Sequence, residues 1–220
     1  EVTGCSRPPK SFFQYCSCLK MIANALATDN LSIGDGDNNF LTTNIVSEKS
    51  CRIVQITQER SLLLPQDEEV ERIISRDGFI SAFLYNSDYM EVHSIASEST
   101  IAFGNYSSEL LETMKNTPSK QGVHGREFDV RFNPGRRLLL GATPLIAAWK
   151  MWFGEPFFDI ISKEKLLAFP YTSEIKQLSS GGLFVKLFDE IEKSHTKENM
   201  FNQWKWQEWV DYDSLIAKYQ

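Results

Sequence analysis

The run from Arg136 to Pro170, RRLLLGATPLIAAWKMWFGEPFFDIISKEKLLAFP, is the densest apolar stretch in the sequence and holds two of its five tryptophans. Any fold open to this chain has to bury that run, because each large apolar side chain gains roughly 1.5–3 kcal/mol on leaving water. Its local signals point to a strand followed by a helix. Arg136 to Leu140 reads as a short buried strand that Gly141-Ala142 ends. Thr143 suits an N-cap, and Pro144 suits the first helical position, where a missing N–H costs nothing. Leu145, Ala148, Trp149 and Trp152 then recur at helical spacing and share a face. Gly154 and Pro156 stop the element. The helix is expected in the core. The functional alternative is a small-molecule pocket or an interface lined by Trp149, Trp152, Phe157 and Phe158.

The rest of the chain supplies strands to pack against it. Leu41 to Thr57 is rich in β-branched residues and is interrupted near Glu48-Lys49-Ser50, which reads as a hairpin. Phe79 to Tyr85 and Tyr89 to Ile95 read as two strands joined through Asn86-Ser87-Asp88. Glu127 to Phe132 alternates, with Phe128, Val130 and Phe132 on one side. Asn133-Pro134-Gly135 turns it into a second hairpin with the Arg136 strand. Leu183 to Phe188 is a further strand. Helices are expected over Ser11–Ala27, Asp67–Ser75, from Ser107 or Ser108 to Asn116, and over Lys197–Val210, with Asp213 capping a last turn to Tyr219. Residues 29–39 read as a polar loop. Hairpins interspersed with helices, rather than regular βαβ units, imply an α+β fold with mainly antiparallel sheet in a single domain. Residues 1–40 are expected to form an N-terminal helix and polar loop packed on a main α+β domain of residues 41–220.

Charge narrows the function classes. A net charge of −6 argues against nonspecific nucleic-acid binding, which needs clustered Lys and Arg. No run of 18 apolar residues is present, so no transmembrane helix is expected. No signal segment is visible, which points to the cytoplasm. Val2-Thr3-Gly4-Cys5-Ser6 has the shape of a lipoprotein cleavage site without the apolar segment before it, so lipid anchoring through Cys5 is the alternative. Cys5, Cys16, Cys18 and Cys51 allow three disulfide pairings, and their spacing does not match the common zinc patterns. Reduced thiols suit a cytoplasmic chain. Asp35-Gly36-Asp37-Asn38-Asn39 offers oxygen ligands, but Phe40 stands where a calcium loop needs its turn glycine. No metal and no cofactor are expected.

The motifs of nucleophilic, phosphate-binding and zinc enzymes are missing. Of the three histidines, His124 is the best catalytic candidate, because Gly122 and Gly125 would let a substrate approach it closely. A small hydrolase-like enzyme built on His124 is therefore the enzymatic alternative. Asn30-Leu31-Ser32 and Asn105-Tyr106-Ser107 fit the glycosylation pattern without a secretory context.

Three segments carry a family likeness: Trp149-Lys150-Met151-Trp152-Phe153-Gly154, the run from Gly182 to Glu192, and Trp209-Val210-Asp211-Tyr212-Asp213-Ser214-Leu215. Over residues 126–220 the chain resembles immunity proteins of bacterial polymorphic toxin systems. The resemblance implies a small acidic protein that binds and neutralises a cognate toxin without catalysis of its own. Negative potential would speed its association with a basic partner. In the C-terminal helix, positions 204 and 206 lie about 200° apart, so part of the Trp204, Trp206 and Trp209 set must face outward. With Glu208 and Asp211, these residues form the expected partner-binding surface.

Overall fold

The computed structural model describes residues 78–123, 125–140 and 143–219, with 67, 70 and 71, and the backbone of 30–34, 40–47 and 52–58. The helix expected over 11–27, the acidic loop 35–39, all four cysteines and His124 lie outside the described residues. Contacts group the chain into two compact units, Glu1–Ile73 and Ile74–Gln220. The fold is α+β, and every described strand pairing is antiparallel.

The first unit holds a three-stranded meander, β1 (Asn30–Gly34), β2 (Phe40–Ser47) and β3 (Arg52–Gln58), with β2 in the middle. The expected β2–β3 hairpin forms, closing at Ser47 opposite Arg52. Residues 30–34, read from sequence as loop, are the strand β1 instead. Its Gly34 pairs with Phe40, the first residue of β2.

The second unit is built on a four-stranded sheet in the order β10 (Glu174–Gln177), β11 (Leu183–Lys186), β9 (Lys150–Phe153), β4 (Ser81–Leu84). Two short hairpins stand beside it, β5 (Ser119–Gly122) with β6 (Gly125–Phe128), and β7 (Arg137–Leu140) with β8 (Thr143–Ile146). The helices are α1 (Ser87–Ser94), α2 (Glu98–Phe103), α3 (Ser108–Thr113), α4 (Lys163–Leu167), α5 (Lys197–Val210) and α6 (Tyr212–Tyr219).

The central helix expected over 143–153 does not exist. Its residues form β8 and β9. In β8, Pro144 pairs with Leu139, one step out from the loop-closing pair Leu140 and Thr143. In a two-residue hairpin that second pair is not hydrogen-bonded, so the missing N–H of Pro144 points away from the ladder and costs no bond. In β9, Met151 and Phe153 face one side of the sheet and Trp152 the other, and all three are fully buried. A strand covered on both faces loses the polar–apolar alternation that marks a strand, and its apolar run then mimics helical spacing. The burial expected for Trp149 and Trp152 holds, and Phe157 is buried with them. Trp149 and Phe157 belong to the main core cluster.

Residues 89–94 are likewise in helix α1, not a strand, and Ile95 is its C-cap. Asn86 sits at its N-cap and accepts the Tyr89 N–H at 3.0 Å, and Asp88 lies in the first turn, where the helix dipole favours a negative charge. Tyr89, Val92 and His93 recur at three- and four-residue steps and are buried. The alternating run 127–132 breaks after β6 into a 3-10 turn, Val130–Phe132, so the hairpin partner of β6 is β5 and not the Arg136 strand.

The main core lies on the Met151 and Phe153 face. Leu183 and Val185 of β11 join it, and α5 closes it with Trp206, whose ring stacks on Phe153 at 6.0 Å. On the opposite face, Trp152 meets Phe184 at 5.3 Å. Gly154 follows β9 at a close backbone approach: a side chain there would overlap the Phe79 carbonyl, and its N–H donates to Ile80 O at 2.8 Å.

Candidate functional site

The C-terminal helix forms over the residues the sequence implies. Thr196 caps it by accepting the Asn199 N–H, and Glu198 sits in its first turn. The structure then separates the five residues expected to meet a partner. Trp206 is fully buried, between Phe153 and an edge-on Phe169 at 5.2 Å, so its side chain is core and not surface. Trp204 and Trp209 are half-buried, and Glu208 and Asp211 are exposed. Trp209 is fixed in place, donating its indole N–H to Lys165 O at 2.7 Å and lying 6.0 Å from Phe169.

Asp211 is occupied by a structural task. It is the C-cap of α5 with φ 63°, a left-handed conformation that Asp tolerates better than most residues. Its carboxylate accepts the Ser214 N–H at 3.2 Å, which starts α6. That cap was expected from Asp213. The Ser214 bonds hold the Asp211 carboxyl below its usual range.

What reaches the surface beside α5 is an aromatic chain that begins in the core. From Trp206 it runs to Phe169, from Phe169 to Tyr171 at 5.9 Å, and from Tyr171 edge-on to Phe201 at 5.6 Å. Tyr171 is 42% exposed and Phe201 48%. Phe201, Lys205 and Glu208 fall on one helix face, four and three residues apart. Lys205 lies 5.5 Å over the Phe201 ring and donates to Glu208 at 2.7 Å, a bond that raises its pKa. Tyr171 was not legible as part of this surface, because it opens the polar run after Pro170 and only the fold brings it to α5. Phe201 was visible in the helix, but nothing in the spacing set it apart from the tryptophans.

The other candidate chemistry centres on histidine. His93 is buried in α1 and has both ring nitrogens engaged. Its Nδ1 accepts the Gly135 N–H at 2.9 Å, which leaves the proton on Nε2 to be donated to Thr113 Oγ1 at 2.8 Å. Thr113 in turn donates its hydroxyl hydrogen bond to Leu110 O. Burial pulls the His93 pKa down to about 3, so the ring is neutral. Asn133 donates to His93 O at 3.0 Å and accepts from Thr117 at 2.7 Å. From the other side, Gln207 of α5 donates to Pro134 O at 2.6 Å. The turn 133–135 is thus held between α1 and α5 by buried bonds, and His93 serves as a structural bracket.

Among the described residues no group of three or more His, Cys, Asp or Glu is placed to hold a metal ion. No described helix is long and apolar enough to cross a membrane. Neither a family of known sequences, a curated protein nor a solved structure matches this chain.

Proposed function

We propose that the chain is a protein-binding module of the immunity type, which neutralises a basic toxin domain by covering it with the outer face of α5 and the neighbouring Tyr171. The observation that carries the reading is the aromatic chain from Trp206 outward. It places Tyr171 and Phe201 on the surface, Tyr171 backed by the buried Phe169 and Phe201 held edge-on by Tyr171, so less side-chain freedom is lost when a partner covers them. Lys205 and Glu208 give this patch a polar rim, and half-buried Trp204 and Trp209 extend it along the helix. The net charge of −6 suits a basic partner, whose approach it would accelerate.

The test is titration calorimetry of the purified chain against the product of the gene beside its own. Phe201→Ala and Tyr171→Ala should each weaken the complex by about 2 kcal/mol while leaving the melting curve in place. Absence of any complex, or affinity that both substitutions leave unchanged, removes this face from the function.

A further inference from the structure

Arg136 is 8% exposed, yet among the described residues it forms no ion pair. Its Nε donates to Gln207 Oε1 at 3.3 Å, and its guanidinium carbon lies 5.5 Å over the Tyr212 ring. Gln207 is itself fixed by Asn133 O and Pro134 O. One edge of the guanidinium is therefore held from the inside, and an aromatic ring lies against it. The two Nη groups donate to no acceptor among the described residues. A guanidinium offers five donors in a fixed fork, and the fork matches the two oxygens of a carboxylate. Orienting it beforehand removes most of the entropy that a free arginine loses on binding.

The charges around it define the ligand further. Arg131 and Asp129 satisfy one another through two bonds of 2.8 and 2.6 Å. Asp213, at the start of α6, acts on both Arg131 and Arg136, and Asp129 acts on Arg136 as well. A doubly charged phosphate would meet twice the repulsion from Asp213 that a singly charged carboxylate meets. With so little of the residue open to solvent, the ligand has to be narrow.

We propose that the Nη edge of Arg136 is a docking point for one carboxylate brought from outside the chain, on a small acid or at the end of a peptide. The inference is independent of the aromatic face of α5. It is tested by following arginine Nε–H signals in nitrogen-15 NMR spectra during titration at constant ionic strength. The probes are sodium acetate, sodium chloride, sodium phosphate, a short peptide with a free C-terminal carboxylate, and the same peptide amidated. The Arg136 signal is assigned through its own backbone and checked by its loss in R136K, so the wild-type titration decides the matter even if that variant fails to fold. The expected result is a saturable shift of this signal at a carboxylate concentration at least tenfold below that needed of chloride or phosphate. Saturation by acetate identifies a free acid as sufficient. Saturation by the acid peptide alone, with the amide inert, identifies a partner's carboxylate. Equal response to chloride, or no response to any probe, overturns the proposal.

Discussion

Gly135 and His93, forty-two residues apart, meet through a backbone N–H donated to Nδ1 at 2.9 Å. The glycine is needed for the approach. A β-carbon at 135 would overlap the Tyr89 ring and come within 2.9 Å of His93 Nδ1. The Tyr89 and His93 rings already lie 4.1 Å apart, so neither has room to withdraw. Gly135→Ala should therefore destabilise the second unit by about 1–3 kcal/mol, read as a lower urea midpoint. A midpoint equal to wild type would mean the turn relaxes freely.

The same histidine sets an acid limit. In the unfolded chain it titrates near the ordinary value of about 6.5, and in the folded one burial lowers it to about 3. The unfolded state thus takes up the proton first as pH falls. The stability His93 contributes is whole above about 6.5 and drains as pH drops toward the folded value, by up to ~1.4 kcal/mol per pH unit. Urea unfolding at about pH 7 and about pH 5, before most carboxylates titrate, should show this loss in wild type and a shallower one in His93→Gln. Parallel profiles would assign the acid sensitivity to other groups.

Tryptophans 152 and 206 are predicted to behave alike, and unlike Phe201. Both indoles are fully buried, Trp152 against Phe184 and Trp206 against Phe153. Trp152→Ala and Trp206→Ala should each cost about 3–5 kcal/mol in equilibrium unfolding. Phe201→Ala, at a half-exposed ring, should stay within about 1 kcal/mol of wild type. A mild Trp206→Ala would return that side chain to the list of surface residues.

Asn86 tests why residues 87–94 are helical. Its side chain accepts the Tyr89 N–H, one of the orphan donors of the first turn. Asn86→Ala should lower stability by about 0.5–2 kcal/mol, and Asn86→Asp should retain most of it. Equal loss in both would point to a role other than capping.

Elements whose signals are local could be read from the sequence. Helix α5 carries its cap in Thr196 and spans the residues expected of it. Ser107 announces α3 in the same way, and the β-branched run with its polar interruption yields the β2–β3 hairpin. Residues 143–153 misled because periodicity cannot separate a strand buried on both faces from a core helix. Residues 89–95 misled because Tyr89, Val92 and Ile95 favour strands by type, while Asn86 and the three- and four-residue spacing of Tyr89, Val92 and His93 favour a helix. The surface beside α5 was half legible. Helix geometry required an outward aromatic, but which one depends on how the helix is turned against Phe153 and Phe169, a tertiary fact.

The place of β9 in the middle of its sheet has a consequence for synthesis. Its neighbours are β4, made well before it, and β11, made after the whole of α4 and β10. When Phe153 leaves the ribosome, one edge of β9 can pair at once. The other edge, with the large aromatic side chains beside it, stays uncovered until Lys186 has emerged, and the Trp206 ring that covers Phe153 arrives later still. An open strand edge next to apolar surface is the species most prone to self-association. For this chain the vulnerable interval is the translation of residues 154–206, and chaperone demand should concentrate there.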